Sequence, residues 1–399
     1  MASSPYRIFL VCGEPSGDLH GGELVERVGK LVPIEVVAAG GPRLAEAGAE
    51  VRWQSTGWGT IGPVEALVRL PRYMRLMKTL VRQIRELSPD LLVLVDFGAF
   101  NLRLARQVRK TAPGVKIFYY FPPSSWDRRP RDFSFLLRVT DYIATPFPWN
   151  AARLAAQGAT VRWVGHPARD RIAPPEDKAQ AKAALGLRPE APVLGLLPGS
   201  RRKERRLLGP TFLQAAELLR ARISGLQVLW SSPAGSAKVD DALGPVQTQE
   251  HVIVTSATAG LLQAADAALC SFGTVTLEAA LADCPIVGAY RFDRVNAAFG
   301  RYVMRVKLDW YTLPNIMAGE GAVVELKQEE VTPGALADAA YELLAPQLGQ
   351  GEGERLKLIR RAYALVRQRV GPPGASDRAA QMVAEVLEGK LLPHRRPLG

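Results

Sequence analysis

Long apolar runs are missing from this 399-residue chain. No stretch approaches the ~20 residues that a membrane span needs. The short run Ile8 to Cys12 gives way at once to Gly13-Glu14, too soon for the h-region of a secretory signal. Cysteine is scarce: Cys12, Cys270 and Cys284 are odd in number, far apart and without metal-ligand spacing. They read as buried thiols in a reducing compartment, and the expected location is the cytoplasm. Of the four histidines, His20 and His166 fall where they can reach a cleft, whereas His251 and His394 look peripheral; no pair is spaced for a metal, so neither metal nor cofactor is expected. Negative charge is also short, 39 Asp and Glu against 51 Lys and Arg, for a net charge of +12. That excess calls for an anionic partner. Nucleic acid is a poor candidate, because the Arg residues are dispersed and no nucleic-acid module or basic-aromatic stacking pattern is present. An anionic membrane surface or an anionic substrate fits better.

What is present is alternation. Strand-like runs separated by helical patterns recur at 7–12, 34–38, 91–95, 116–120, 142–144 and 161–164, then again at 193–197, 226–230, 252–255, 267–270 and 286–289. This is the pattern of parallel sheets with crossover helices. The expected architecture is α/β: two doubly wound Rossmann-like domains facing a cleft. The first spans 1–170 and regains a C-terminal helix at 376–399, and the second spans 185–370. Pro167, Pro174-Pro175 and the charged stretch to Leu187 read as the connection, and Gly371-Pro-Pro-Gly374 as a second break.

The loops that close the strands carry the chemistry. Gly13-Glu14-Pro15-Ser16-Gly17-Asp18 joins the first strand to a helix but lacks the Gly-x-Gly-x-x-Gly spacing of a dinucleotide site. Glu14 and Asp18 would repel phosphate, so this loop suits a hydroxyl-bearing substrate; capping of the helix by Ser16 or Asp18 is the structural alternative. Asp96 ends an apolar strand, where a carboxylate can serve as a general base or cap the helix beginning near Asn101. Gly199-Ser200 can form an anion-binding nest, with Arg201 placed to brace a leaving phosphate and the following Arg and Lys residues read as a solvated face. Gly273-Thr274 opens a helix whose free N–H groups suit a diphosphate, and Glu278, one turn in, can accept both hydroxyls of a ribose. Between 63 and 87, Leu70, Tyr73, Met74 and Met77 share an apolar face, preceded by Val64 and Leu67. Arg72, Arg75, Lys78, Arg82 and Arg85 lie opposite. The stretch suits an anionic bilayer surface, or equally a helix packed on a sheet.

Taken in order, these strings resemble the lipid-A-disaccharide synthase family, inverting glycosyltransferases of the GT-B fold. The matching pieces also include Gly40-Gly41-Pro42-Arg43, Pro123-Ser124-x-Trp126, Gly165-His166, Tyr290-Arg291, Leu313-Pro314-Asn315 and Gln328-Glu329-Glu330. The resemblance implies transfer of 2,3-diacylglucosamine from its UDP derivative to the 6-hydroxyl of 2,3-diacylglucosamine 1-phosphate, giving a β-1,6-linked disaccharide and UDP. It implies Asp96 as the base, Glu14 and Asp18 as companion carboxylates, and Ser16, Gly17, Trp126 and His166 on the acceptor. UDP would fall to Gly199, Ser200, Arg201, Gly273, Thr274, Glu278, Tyr290, Arg291 and Asn315. Val64, Leu67, Leu70, Tyr73, Met74 and Met77 would face the cytoplasmic side of the inner membrane, and a homodimer is compatible. The chain departs from the family pattern at Ala99, Asp127, Phe272 and Glu320. Two other readings share the two-domain plan: a UDP-sugar 2-epimerase, and a non-catalytic relative that binds a UDP-lipid.

Overall fold

The computed structural model describes residues 4–55, 58, 63–123, 125, 132–232, 252–291 and 309–394, and of 63–70 the backbone only. It divides into two units, Met1–Asp170 with Val370–Gly399, and Arg171–Arg369.

The first unit is built on a seven-stranded parallel sheet: β1 (Tyr6–Cys12), β2 (Ile34–Gly40), β3 (Glu50–Gln54), β4 (Leu91–Val95), β5 (Lys116–Tyr120), β6 (Tyr142–Thr145) and β7 (Val161–Trp163), in spatial order β3-β2-β1-β4-β5-β6-β7. Strands buried on both faces read as unbroken apolar runs, and the Leu-Leu-Val-Leu-Val of β4 is one of them. Along β1 the side chains alternate between two cores. Ile8, Leu10 and Cys12 pack with the helix Pro15–Gly29 and the C-terminal helix Ala375–Leu387. Phe9 and Val11 pack with Leu80 and Ile84 of the helix Pro63–Leu87 and with Leu104 of the helix Gly98–Thr111.

The C-terminal helix thus completes the first unit. Its start is fixed from a distance: the Asp170 carboxylate accepts hydrogen bonds from the N–H groups of Gly374 (2.6 Å), Ala375 (3.2 Å) and Ser376 (3.1 Å). A side-chain cap normally comes from the helix's own N-cap residue. Here Gly374 occupies that position with φ 90°, so the carboxylate arrives from another part of the chain.

The second unit holds a six-stranded parallel sheet: β8 (Val193–Leu197), β9 (Gln227–Ser231), β10 (Val252–Thr255), β11 (Ala267–Ser271), β12 (Ile286–Tyr290) and β13 (Val324–Lys327), in order β10-β9-β8-β11-β12-β13. Residues 171–184, expected as connecting chain, belong to this unit. Lys178 and Lys182 reach the buried Asp266 carboxylate at 3.0 and 2.9 Å, and Asp266 also accepts from Val193 N–H at 2.9 Å. The edge strands β3 and β13 escaped the sequence reading. Neither contains a buried residue, and β3 alternates charged or polar with half-buried positions, so there was no apolar run to find.

Candidate functional site

In each sheet the strand order reverses once, between β1 and β4 and between β8 and β11. Loops leaving the carboxyl ends of strands at such a point form a natural binding crevice. In the first unit β1 runs into Gly13-Glu14, with Glu14 as the extended N-cap residue of the helix Pro15–Gly29. β4 runs into Asp96 and Phe97, both in the left-handed region at φ 48° and 50°. Such a conformation costs about 1–2 kcal/mol per non-glycine residue.

Three features hold that turn against its strain. Asn101 Nδ2 donates to the carbonyl oxygens of Asp96 (2.9 Å), Val95 (3.3 Å) and Val11 (3.4 Å). The Tyr119 hydroxyl donates to the same Asp96 carbonyl at 2.7 Å. Gly13 supplies the space, because a Cβ there would lie 2.2 Å from the Phe97 ring. Gly17 lies beside the same turn: a Cβ there would make an ordinary contact of 3.9 Å with Asp96 Cβ and a tight one of 3.2 Å with Cys12 Cβ. The structure therefore gathers Gly13, Gly17 and Asp96 into one small region, beside a helix N-terminus carrying Glu14 and Ser16.

Asp18, expected among the catalytic carboxylates, makes structural contacts in the fold. Its carboxylate, 5% exposed, accepts from the N–H groups of Gly41 (2.7 Å), Arg43 (3.0 Å) and Leu44 (3.3 Å). Both oxygens are committed to the start of the helix Pro42–Glu46, and a Cβ on Gly41 would come within 2.6 Å of them. The Gly40-Gly41-Pro42-Arg43 string is the cradle of this buried anion. Asp18 therefore fastens the Gly40–Leu44 segment over the start of the first helix.

His166 lies after β7, with Nδ1 accepting from Ala168 N–H at 3.2 Å, which puts the proton of the neutral ring on Nε2. It meets Phe121 edge-on at 5.4 Å and lies 5.9 Å from both Phe147 and His20. His20 belongs to the first helix rather than a loop, and stacks on Phe121 at 4.7 Å. This aromatic cluster was not legible beforehand, because its members come from four separated segments. Trp126 lies outside the described residues.

In the second unit the loop after β8 carries Gly199 at φ 119°, where a Cβ would strike Glu204 Oε2 at 2.3 Å. Glu204 accepts from Arg201 Nη1 at 3.0 Å, and Arg205 donates to the Ser200 carbonyl at 2.6 Å. Glu204 and Arg205 are buried and build the loop, whereas Arg202 and Arg206 are exposed, as expected of a solvated face. After β11, Gly273 is the N-cap residue of the helix Thr274–Leu281. The Glu278 carboxylate lies one turn in, 17% exposed, with Arg171 Nη2 at 4.0 Å. Burial raises its pKa above the ordinary carboxylate value, and the Arg171 charge opposes that rise. Tyr290 stacks in parallel with Phe272 at 5.7 Å, and Phe272 with Tyr311 at the same distance.

Two residues expected to contact UDP are engaged by the protein itself. Arg291 donates to the carbonyls of Gln328 (3.3 Å) and Val331 and to Thr211 Oγ1 (3.2 Å), so its guanidinium fastens the loop after β13. Asn315 is fully buried and its amide is saturated: Nδ2 donates to Val323 O and Glu325 Oε1, and Oδ1 accepts from Val323 N–H. Glu325, which sequence reasoning missed, also accepts from Tyr311 N–H, Thr312 N–H and the Thr312 hydroxyl. Its position on a weak edge strand hid it.

Of the residues expected to face a membrane, Tyr73 and Met77 pack partly inward. Tyr73 packs 6.2 Å from Phe100 and donates to the Trp58 carbonyl, and Met77 packs against the core formed by Leu80 and Ile84. Both are half-buried against that core. Met74 is 55% exposed. The side chains of Val64, Leu67 and Leu70 lie outside the described residues. Among the described residues no helix is long and apolar enough to cross a membrane.

The fold is shared with solved structures of very different sequence. A UDP-GlcNAc 2-epimerase from Neisseria meningitidis bound to UDP-GlcNAc matches with TM-score 0.59 at 10% identity, covering 96% of this chain and 100% of that one. A UDP-GlcNAc 2-epimerase from Methanocaldococcus jannaschii in complex with UDP-GlcNAc and UDP gives 0.56 at 12% identity, covering 95% and 99%. At these identities the likeness fixes the two-domain Rossmann-like fold alone. Sequence relatives are more specific. The lipid-A-disaccharide synthase of Prochlorococcus marinus is 35% identical over 395 residues, covering 95% of this chain and 99% of its own. That of Geobacter metallireducens is 35% identical over 390 residues, covering 96% and 98%. The family model of lipid-A-disaccharide synthetase matches residues 8–369. With that match running through both sheets and the loops at their switch points, the chain belongs to the lipid-A-disaccharide synthetase family.

Proposed function

We propose that this glycosyltransferase transfers 2,3-diacylglucosamine from its UDP derivative to the 6-hydroxyl of 2,3-diacylglucosamine 1-phosphate, with inversion at the anomeric carbon. The acceptor oxygen forms the new bond to that carbon as the bond to the β-phosphate oxygen of UDP breaks, and the acceptor proton passes to a base. Asp96 is the proposed base. The strained turn around it, anchored by Asn101 and Tyr119, is the observation that carries the reading, because a carboxylate held at a sheet switch point suits that task. Glu14 and Ser16, on the neighbouring helix start, are proposed to contact the acceptor, with Gly17 giving close approach and His166 offering an Nε2–H donor.

On the donor side, the leaving UDP carries negative charge that the Gly273–Thr274 helix start and the Gly199–Ser200 loop can stabilise with backbone N–H groups. Arg201 is proposed to lend charge from the same loop, Glu278 to accept the ribose hydroxyls, and Tyr290 to wall the site. Met74 and the basic stripe of its helix are proposed to rest on the anionic cytoplasmic surface of the inner membrane, where both acylated sugars reside, and self-association into a homodimer is compatible with this placement. Mass spectrometry tests the reaction: purified protein given UDP-2,3-diacylglucosamine and the 1-phosphate acceptor should yield the disaccharide and UDP. Release of UDP without acceptor, or recovery of an epimerised UDP-sugar, would refute it. Asp96→Asn should lower turnover ~10²-fold or more.

A further inference from the structure

Arg171 is a positioning residue that the reaction scheme above leaves unused. It closes the short helix Ala168–Arg171 and opens the second unit, and its guanidinium is mostly buried, 26% exposed. Its Nη2 lies 4.0 Å from Glu278 Oε1. That spacing is too long for a hydrogen bond but close enough for a strong charge interaction. We propose that Arg171 holds Glu278 as an ionised, hydrogen-bond-free acceptor, and so sets the enzyme's preference for a ribonucleotide over a deoxyribonucleotide. The inference rests on Glu278 being the ribose ligand.

The geometry separates two jobs that one hydrogen-bonded ion pair would merge. Burial disfavours the charged form of Glu278, and a neutral carboxyl accepts hydroxyl hydrogen bonds poorly. A cation placed at hydrogen-bond distance would restore the charge but occupy an acceptor position. At 4.0 Å, Arg171 favours the charged form against that burial and leaves the oxygens to the ligand. No donor among the described residues hydrogen-bonds to the Glu278 side chain. A vicinal diol presents two donors to such a carboxylate, and a 2′-deoxyribose presents one.

Calorimetric titration of the full-length protein with UDP and with 2′-deoxy-UDP reads this directly. The unmodified protein should prefer UDP by about 10-fold or more, as expected for a buried acceptor that loses a partner. Arg171→Met should lose most of that preference while its affinity for 2′-deoxy-UDP changes little, and Arg171→Lys should retain it. Arg171→Gln, read in the same way, serves if the Met variant does not fold. If Arg171→Met keeps the preference while Glu278→Gln abolishes it, the proposal falls and the ribose assignment stands. An equal loss of both nucleotides in Arg171→Met would place Arg171 on the diphosphate instead and also overturn it. If the unmodified protein shows no preference, or Glu278→Gln retains it, the ribose assignment itself fails.

Discussion

Removing the two donors that converge on the Asp96 carbonyl separates the strain in that turn from its chemistry. Tyr119→Phe deletes one hydrogen bond of 2.7 Å and keeps the ring in the core. Burial pushes the Tyr119 phenol well above its ordinary range, so the hydroxyl stays a donor throughout any practical pH range. The expected loss is about 1 kcal/mol, because Asn101 still serves the same oxygen. Asn101→Ala should cost about 2 kcal/mol: it strips one good bond of 2.9 Å and two longer ones, at 3.3 and 3.4 Å, from buried carbonyls. The double variant leaves the Asp96 carbonyl with neither donor, beneath two left-handed residues that together store roughly 2–4 kcal/mol. The two losses should therefore exceed additivity by about 1 kcal/mol. Urea unfolding measures that term, and steady-state kinetics measures its consequence. A shift of the carboxylate by 1 Å costs on the order of 10²-fold. The double variant should thus lose kcat on that scale while KM for the UDP-sugar holds, since the proposed nucleotide contacts all lie in the second unit. Additive stability losses with intact kcat would refute the claim that this turn aims the base.

Other expectations follow from the same contacts. Asp18→Ala leaves three N–H groups without their buried acceptor and should cost about 3 kcal/mol or more in urea unfolding; a loss of turnover without one of stability would return Asp18 to the chemistry. Because burial raises the folded-state pKa of Glu278 above its unfolded value, the folded protein binds the extra proton, and that contribution to stability is lost as pH rises through the raised value. Glu278→Gln should therefore unfold at higher temperature than the parent above that window while binding UDP more weakly; an unchanged or lowered melting temperature at neutral pH would contradict it. Met74→Ser, with the core-facing Met77 left intact, should reduce sedimentation with anionic vesicles, and unchanged sedimentation would remove this helix from any membrane contact.

Loop strings were legible where glycine or a carboxylate ended an apolar strand. Gly13, Asp96, Gly199 and Gly273 all fall at the carboxyl ends of the strands that flank the two switch points. What each side chain does there was less legible. Asp18 and Asp96 look alike in sequence, both carboxylates that follow closely on an apolar strand. Only the Gly40–Leu44 segment folding over Asp18 turns one into a structural anion and leaves the other at the mouth of the sheet. Arg291 and Asn315 sit in family strings, yet their hydrogen-bonding capacity is taken up by backbone brought close from residues 323–331. The stripe on the helix Pro63–Leu87 shows the same limit, since periodicity identifies an apolar face but not the surface that covers it.

The sequence by itself determined the alternation of strands and helices, the basic excess and the ordered loop strings, because these depend on hydrophobic period and local turn chemistry. The pairing of β1 with β4 and of β8 with β11, the capping of residues 374–376 by Asp170, and the approach of Arg171 to Glu278 were decided only by tertiary structure. Each joins residues far apart in the chain. Which distant carboxylate meets which cation or N–H group follows from how the helices are covered and the loops closed, and no local pattern encodes it.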